Sequence, residues 1–432
     1  MNNRRVVITG MGWVTPLGVE IEDAWQSLLT GRSGVGDITI FDASNFPVRI
    51  AAEVKDWSVA ALGDEALVAA VPGLSRHARQ TQFTVVAALR AARAAGLLDL
   101  SLDPALVGIS LGNGEIMPDF NQLAVAEGAA LTADGWDANR FVEQYLATVP
   151  GDIDAVLDPS AAVHFIAGVL NAEGPCCNIT NACVSSAAAI GRAASTIQSG
   201  DADVMIAGGG HSMIHPFGVT GFHRLSTLSL CNEEPAKAAR PFDRDRDGFV
   251  VGEGAAIIIL EELTHAQRRG AEFVVELAGF AANHDAYRVT DPRSDAIRAA
   301  QCIELALADA ECSPTAIDYI NAHGSGTVAN DRAETLAIKR SLGTRASQVP
   351  ISSSKSMVGH LTTACGALEA VICALAIRDG MVPPTINYET PDPECDLDCV
   401  PNEAREVACR HVLSNNFGFG GQNVAIVFAA LP

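Results

Sequence analysis

The sequence predicts an α/β protein of two layered halves, with parallel-rich sheets covered by helices. Two observations carry this. Apolar strand-like runs alternate with helical patterns along nearly the whole chain, as sheets clothed by helices require. The chain is 432 residues long with 48% hydrophobic content and 38 glycines, which suits a large, well-buried enzyme rather than a disordered or fibrous chain.

Val6-Val-Ile-Thr-Gly10 reads as a buried strand running into Gly-Met-Gly. Glu22 to Thr30 reads as a helix closed by Gly31, and Arg76 to Ala95 as a longer one with apolar Phe83, Val86, Ala87 and Leu89 among Arg76, Arg79, Arg90 and Arg93. Val107 to Gly114 is a second strand ending in a glycine turn. Residues 115–160 are aperiodic, acidic and free of lysine, as a surface excursion with helical pieces would be. Asp203 to Gly210 and Ala255 to Glu262 are further strands, followed by a helix over 263–269. The pattern restarts with a strand over 272–282. Helices over 294–309, 331–341 and 364–378 then alternate with strands at Tyr319–His323 and Ile351–Ser354. Val412 to Phe419 and Asn423 to Phe428 close the chain as a hairpin. This divides the chain into halves of 1–265 and 266–432 with similar alternation.

Composition removes several function classes. A net charge of −22 argues against nucleic acid or an anionic membrane as a general partner. Eleven cysteines, an odd number without any C-x-x-C, support neither a disulfide scaffold nor a zinc site. Met-Asn-Asn-Arg-Arg-Val-Val lacks a signal-peptide core, and no apolar run reaches the length of a bilayer, so a cytoplasmic protein is expected. Asp243-Arg-Asp-Arg-Asp-Gly248 imitates the start of a calcium loop, but its twelfth position is Gly254 and two arginines oppose the ion. It is read as a charged turn before a strand over Gly248–Gly252. Gly418-Phe-Gly-Gly is not followed by a helix and is no dinucleotide fingerprint.

Four stretches carry chemistry. In Cys176-Cys-Asn-Ile-Thr-Asn-Ala-Cys-Val-Ser-Ser, Cys183 precedes an alanine-rich, tightly packed helix. A thiol in the first turn of that helix meets unpaired N–H groups and the positive dipole end, which favour a nucleophilic thiolate near neutral pH. Cys176 and Cys177 are read as packing residues on the preceding strand. Asn321-Ala-His-Gly-Ser-Gly-Thr delivers His323 from a strand into a glycine loop, and Ser352-Ser-Ser-Lys-Ser-Met-Val-Gly-His does the same for Lys355 and His360. Asn415-Asn-Phe-Gly-Phe-Gly-Gly421 is a turn with two aromatics. A lone histidine is usually structural, whereas a nucleophile and two imidazoles at strand ends make a site.

Together Asn-Ala-Cys183-Val-Ser-Ser, Asn-Ala-His323-Gly-Ser-Gly-Thr and Lys355-Ser-Met-Val-Gly-His360 resemble the three signatures of β-ketoacyl-[acyl-carrier-protein] synthases of the synthase II type. The likeness runs from Val6-Val-Ile-Thr-Gly-Met-Gly to Gly-Phe-Gly-Gly-Gln-Asn. It implies a thiolase fold, a five-layered αβαβα sandwich of two similar halves, usually a homodimer. It implies decarboxylative Claisen condensation in fatty-acid elongation, by an acyltransferase that needs no cofactor of its own. Its substrates ride on the phosphopantetheine of acyl carrier protein. Cys183 would take the acyl chain, the N–H groups of Cys183 and Phe419 would form the oxyanion hole, and His323 and His360 would hydrogen-bond the malonyl thioester oxygen through Nε2. Lys355 would orient the histidines with Glu369 as its partner. Ser325 and Thr327 would hold the pantetheine, and Phe417 and Phe419 would gate the acyl pocket. An acidic enzyme meeting an acidic carrier needs local positive charge, for which Arg76, Arg79 and Arg224 are the expectation.

The sequence also departs from that pattern. Gly-Ser-Gly-Thr after His323 and the long 115–160 segment resemble the ketosynthase subunit of type II polyketide systems, which pairs with a chain-length-factor-like subunit. That gives a second reading, an active polyketide or polyene ketosynthase in a heterodimer. Arg288 stands where the family often has His. Glu115 falls near the acyl pocket, where a buried unpaired carboxylate would disfavour a long alkyl chain. His360 argues against a priming synthase, which would carry Asn there. A non-catalytic scaffold subunit is the remaining alternative, opposed by the intact Cys183, His323 and His360.

Overall fold

The computed structural model describes residues 4–149, 151–273 and 275–431. Its strands are β1 (Val6–Val14), β2 (Val107–Leu111), β3 (Cys176–Asn178), β4 (Val204–His211) and β5 (Gly254–Glu262), then β6 (Val275–His284), β7 (Tyr319–Asn321), β8 (Ile351–Ser352), β9 (His411–Gly418) and β10 (Gln422–Ala430). The strand expected over 272–282 includes Val274, which lies outside the described residues.

The ten strands are hydrogen-bonded in the order β8-β7-β9-β10-β6-β1-β5-β4-β2-β3. Each set of five therefore repeats one order, third, second, fourth, fifth, first. The sets meet where β1 pairs antiparallel with β6, Val6 opposite Leu277 and Ile8 opposite Val275. The expectation of parallel-rich sheets is corrected. Parallel pairing is confined to β2 with β3 and β4, and to β7 with β8 and β9. The strands between are antiparallel. Helical crossovers enforce parallel pairing, whereas β9 and β10 are joined by a tight glycine turn and must run antiparallel.

Six helices position the site: α1 (Arg79–Ala94), α2 (Ala161–Leu170), α3 (Ser185–Ser199), α4 (Ile297–Asp309), α5 (Val328–Leu342) and α6 (Cys365–Asp379). α1 and α2 share a core with β1, β2, β4 and β5, and α4 and α5 share another with second-half strands. α3 and α6 lie between, packed on strands of both sets within the central core. The layers read α, β, α, β, α, which is the thiolase fold.

A middle-layer helix has no wet face, and α6 accordingly reads Cys-Gly-Ala-Leu-Glu-Ala-Val-Ile-Cys-Ala-Leu-Ala, buried from Cys365 through Ala376. Small residues let it touch α3. A Cβ added at Gly366 would lie 2.5 Å from the Ala187 Cβ, closer than two carbons can approach.

Several local expectations change. The helix expected from Arg76 begins at Arg79, after a separate turn over Leu74–Arg76 and extended backbone at His77 and Ala78. Gly248–Gly252 is not a strand but makes isolated bridges, Phe249 to Leu228, Val251 to His360 and Gly252 to Ala52. The charged turn before it buries Asp243 and Arg246 and leaves Arg244, Asp245 and Asp247 exposed. Arg246 pairs there with Asp392 at 2.7 Å and Asp331 at 3.4 Å, while Asp243 accepts the N–H groups of Glu389 and Thr390. These bonds tie the loop of the first half to the second. Cys176 and Cys177 do not pack in the core, because β3 is an edge strand where Cys176 is exposed. Residues 115–160 contain helices Phe120–Ala130, Ala138–Thr148 and Ile153–Leu157 around a short hairpin, with Pro150 outside the described residues. Among the described residues no helix is long and apolar enough to cross a membrane.

Candidate active site

The chemistry-bearing residues follow the C-terminal ends of strands, and those ends converge on one cavity of about 410 Å³. Cys183 follows β3, His323 follows β7, His360 follows β8, and Phe417 to Phe419 end β9; all of them line it. This is the place where α/β sheets gather side chains from separate strands.

Cys183 stands two residues before α3 rather than in its first turn. Ala182 just ahead of it has φ +47°, a left-handed conformation that costs a non-glycine residue about 1–2 kcal/mol. Ser185 holds this bend, its hydroxyl accepting the Asn181 N–H at 2.7 Å and donating to the Ala182 carbonyl at 2.7 Å. Strain fixed in this way is typical of functional positions. The expectation of a thiolate near neutral pH is corrected. Burial pushes the Cys183 thiol up to about 11, and the Phe419 N–H and the Lys355 charge pull it back only in part. Cys183 is half-buried by exposure because it borders the cavity, yet dense protein on its other sides still desolvates the anion. The backbone N–H groups of Cys183 and Phe419 both favour the thiolate.

His323 and His360 are 2% and 3% exposed, with ring centroids 5.4 Å apart and planes at 80°. Burial, then the Lys355 charge, holds both imidazoles well below the usual histidine range. His360 also feels His211, and His323 feels His360. Both rings are therefore neutral at neutral pH. His360 Nδ1 accepts the Thr362 N–H at 2.9 Å, which leaves the ring proton on Nε2. Thr362 adopts φ +47° to make that bond. His323 Nδ1 has no hydrogen-bond partner.

Lys355 and Glu369 form a buried ion pair with side chains 3% and 1% exposed. Burial works to lower the Lys355 ammonium, but Glu369 foremost outweighs it and raises it. Glu369 is pushed up to about 7 by burial against the pull of Lys355. The two directions differ on how fully Glu369 is ionised. We favour the charged pair, because only a carboxylate can raise the ammonium. Lys355 does not itself line the cavity.

At the cavity wall, the Ser325 and Thr327 hydroxyls lie 3.0 Å apart, and Thr327 caps α5 by accepting the Asn330 N–H. Phe417 belongs to the core of the second half and lies 6.2 Å from the His323 ring, while Phe419 is only partly buried. The arginines divide. Arg79 is bound to Glu253 and to the Val54 carbonyl, so its expected docking role is corrected: a guanidinium paired with a fully buried carboxylate is not offered to a partner. Arg76 pairs with Asp152 at 3.2 Å and stays 70% exposed, and Arg224 is exposed at the end of helix Pro216–Arg224, next to the cavity-lining Leu225. Arg288 pairs with Asp291 and packs on Tyr287. Glu115 lines the cavity but is exposed, so the expectation of a buried unpaired carboxylate is corrected.

Sequence reasoning missed Glu334. This buried carboxylate on α5 accepts the N–H groups of His323 at 2.8 Å and Gly324 at 2.7 Å, and so fixes the histidine loop. An acid on the helix immediately after a histidine loop was the available signal. It also missed His211, which ends β4 against the same cavity.

A cysteine delivered from the first half, bordering one cavity with two neutral histidines delivered from the second, defines a thiolase-fold enzyme with a thiol-centred site. Comparison with known proteins narrows this. The β-ketoacyl synthase N-terminal domain matches residues 3–266 and the C-terminal domain matches residues 274–389. A 3-oxoacyl-[acyl-carrier-protein] synthase 2 of Coxiella burnetii is 43% identical over 99% of both chains. A putative polyketide β-ketoacyl synthase 1 of Streptomyces cyaneus is 42% identical over 98% of this chain and 97% of that one. A solved type II polyketide ketosynthase, bound to its acyl-carrier protein and to a hexaketide, is 33% identical with a TM-score of 0.83 over the whole of both chains. The chain belongs to the β-ketoacyl synthase family.

Proposed function

We propose that Cys183, His323 and His360 carry out decarboxylative condensation of an acyl thioester with malonyl-acyl carrier protein. The enzyme is an acyltransferase of the β-ketoacyl synthase type. Cys183 sulfur attacks the carrier-bound acyl carbonyl, and the pantetheine thiol leaves with the cysteine proton. Malonyl carrier protein then enters and loses CO₂, and the electrons of the broken C–C bond form an enolate. The enolate carbon attacks the Cys183 thioester, a C–C bond forms, the C–S bond breaks, and β-ketoacyl carrier protein departs.

The observation that carries this is the protonation pattern. Neutral His360 holds its proton on Nε2, and a neutral donor next to a cavity stabilises a forming enolate oxygen. His323 serves the same oxygen. The N–H groups of Cys183 and Phe419 serve the tetrahedral oxyanion in this reading, which their pull toward the thiolate supports. Because the free thiol is held near 11, ionisation is coupled to acyl transfer rather than complete beforehand. Lys355 and Glu369 position the histidines from behind. Ser325 and Thr327 receive the pantetheine, Phe417 and Phe419 close the acyl pocket, and Arg76 and Arg224 meet the acidic carrier.

Fatty-acid elongation by a homodimer is the leading pathway. The matching identities to synthase II and polyketide relatives favour an active ketosynthase with a chain-length-factor-like partner as the second reading. The repeated strand order supports a division into halves at 265/266. A cytoplasmic location and the lack of a tightly bound cofactor belong to the same reading. The test is product formation by the purified chain alone from alkanoyl and malonyl carrier proteins. β-Ketoacyl carrier protein from long saturated chains supports elongation. Product only in the presence of a second subunit supports the polyketide reading.

A further inference from the structure

Parallel pairing of β2 with β4, Leu111 opposite Gly208, brings their C-terminal ends to one edge of the cavity. Glu115 stands after β2 and His211 ends β4. His211 is 2% exposed, and neither ring nitrogen has a hydrogen-bond partner. Gly114 leaves room for the ring, since a Cβ there would come within 2.8 Å of His211 Nε2. Glu115 is exposed to the cavity, and its charge and backbone carbonyl favour the protonated ring without meeting hydrogen-bond geometry. Burial is the stronger influence and holds His211 down to about 4, so the ring stays neutral with one donor and one acceptor nitrogen. Glu115 and His211 line the same cavity as Cys183, His323 and His360, which puts the pair beside the reacting centre.

An orphaned buried imidazole costs stability unless a ligand or water satisfies it. A plain alkyl chain offers neither His211 nor Glu115 anything. A ketone only accepts, and Glu115 has no proton to give it as a carboxylate. A hydroxyl donates to the carboxylate and accepts from the ring N–H. We propose that Glu115 and His211 form a specificity site for an acyl chain bearing a hydroxyl, or the enol form of a ketone, beside the reacting carbon. This rests on the condensation reading and names its substrate class.

The experiment measures acyl transfer onto Cys183 by intact-protein mass. The donors are carrier proteins bearing an unsubstituted alkanoyl chain and the same chain hydroxylated near the thioester, at its middle or near its end. Wild type is expected to accept the chain hydroxylated near the thioester about tenfold or more better than the plain chain, and the other two hydroxylated chains no better, as sites built to bond a hydroxyl discriminate strongly. Glu115→Ile is expected to lose that preference and gain transfer from the plain chain. Glu115→Gln, which keeps a polar group, retains part of the preference. Equal or better use of the plain chain by wild type, or an unchanged preference in Glu115→Ile, overturns the proposal. No transfer from any donor overturns the condensation reading instead, and this inference with it.

Discussion

His360 Nδ1 accepts the backbone N–H of Thr362 at 2.9 Å, with the Cys365 sulfur 3.3 Å from the same nitrogen, and the Thr362 bond leaves the ring proton on Nε2. Thr362 sits in the left-handed region to make it, so backbone strain is spent on a tautomer. With His323 at a centroid distance of 5.4 Å, two neutral rings border the cavity that holds Cys183.

Removing that donor should separate the two half-reactions. His360→Ala is expected to lower condensation by about 100- to 1000-fold, the effect of losing one oxyanion donor. Acylation of Cys183 should continue at a rate close to wild type. Single-turnover mass spectrometry of each step checks this, and equal loss in both steps would contradict the assignment.

The ion pair behind the histidines should be expensive to break singly. Lys355→Met or Glu369→Leu is expected to cost about 3–5 kcal/mol, because each leaves a buried charge alone. The double variant Lys355→Met/Glu369→Leu should recover much of that stability without recovering condensation. Denaturant unfolding and turnover, measured together, test both parts.

Cys183 should ionise late. Its alkylation by iodoacetamide is expected to rise roughly tenfold per pH unit toward the thiol's value of about 11, because only the thiolate reacts. Mass spectrometry must follow the Cys183 peptide, since Cys176 is exposed and will also react. A plateau near neutrality would mean that the helix end and Lys355 outweigh burial.

The middle layer should tolerate no added bulk. Gly366→Ala places a Cβ against Ala187 and is expected to cost about 1–3 kcal/mol of overpacking. Because α3 follows Cys183 and α6 carries Glu369, the partner of Lys355, turnover should fall more than stability alone explains. Unfolding curves and kcat/KM on one preparation show whether it does.

Much of this site could be read in the sequence because its residues sit in the connections that follow strands. Cys183, His323 and His360 each lie in a short polar or glycine-containing stretch behind an apolar run, so strand ends and chemistry are legible together. What could not be read depends on which strands are neighbours. Glu115 and His211 come to one cavity wall because β2 pairs with β4, and no local pattern states that pairing. Arg79 looked free because its partner Glu253 lies far away in the chain. The thiol's upward shift has the same origin: helix position is local, whereas desolvation is supplied by the whole fold.

The central claim is that Cys183 is the acyl-accepting nucleophile. Its most direct test is intact-protein mass after incubation with acyl carrier proteins, run for wild type and Cys183→Ala. One acyl adduct that maps to Cys183, disappears on adding malonyl carrier protein, and is missing from Cys183→Ala is the predicted result. No adduct on wild type with any donor, or an adduct that persists in Cys183→Ala, would contradict it.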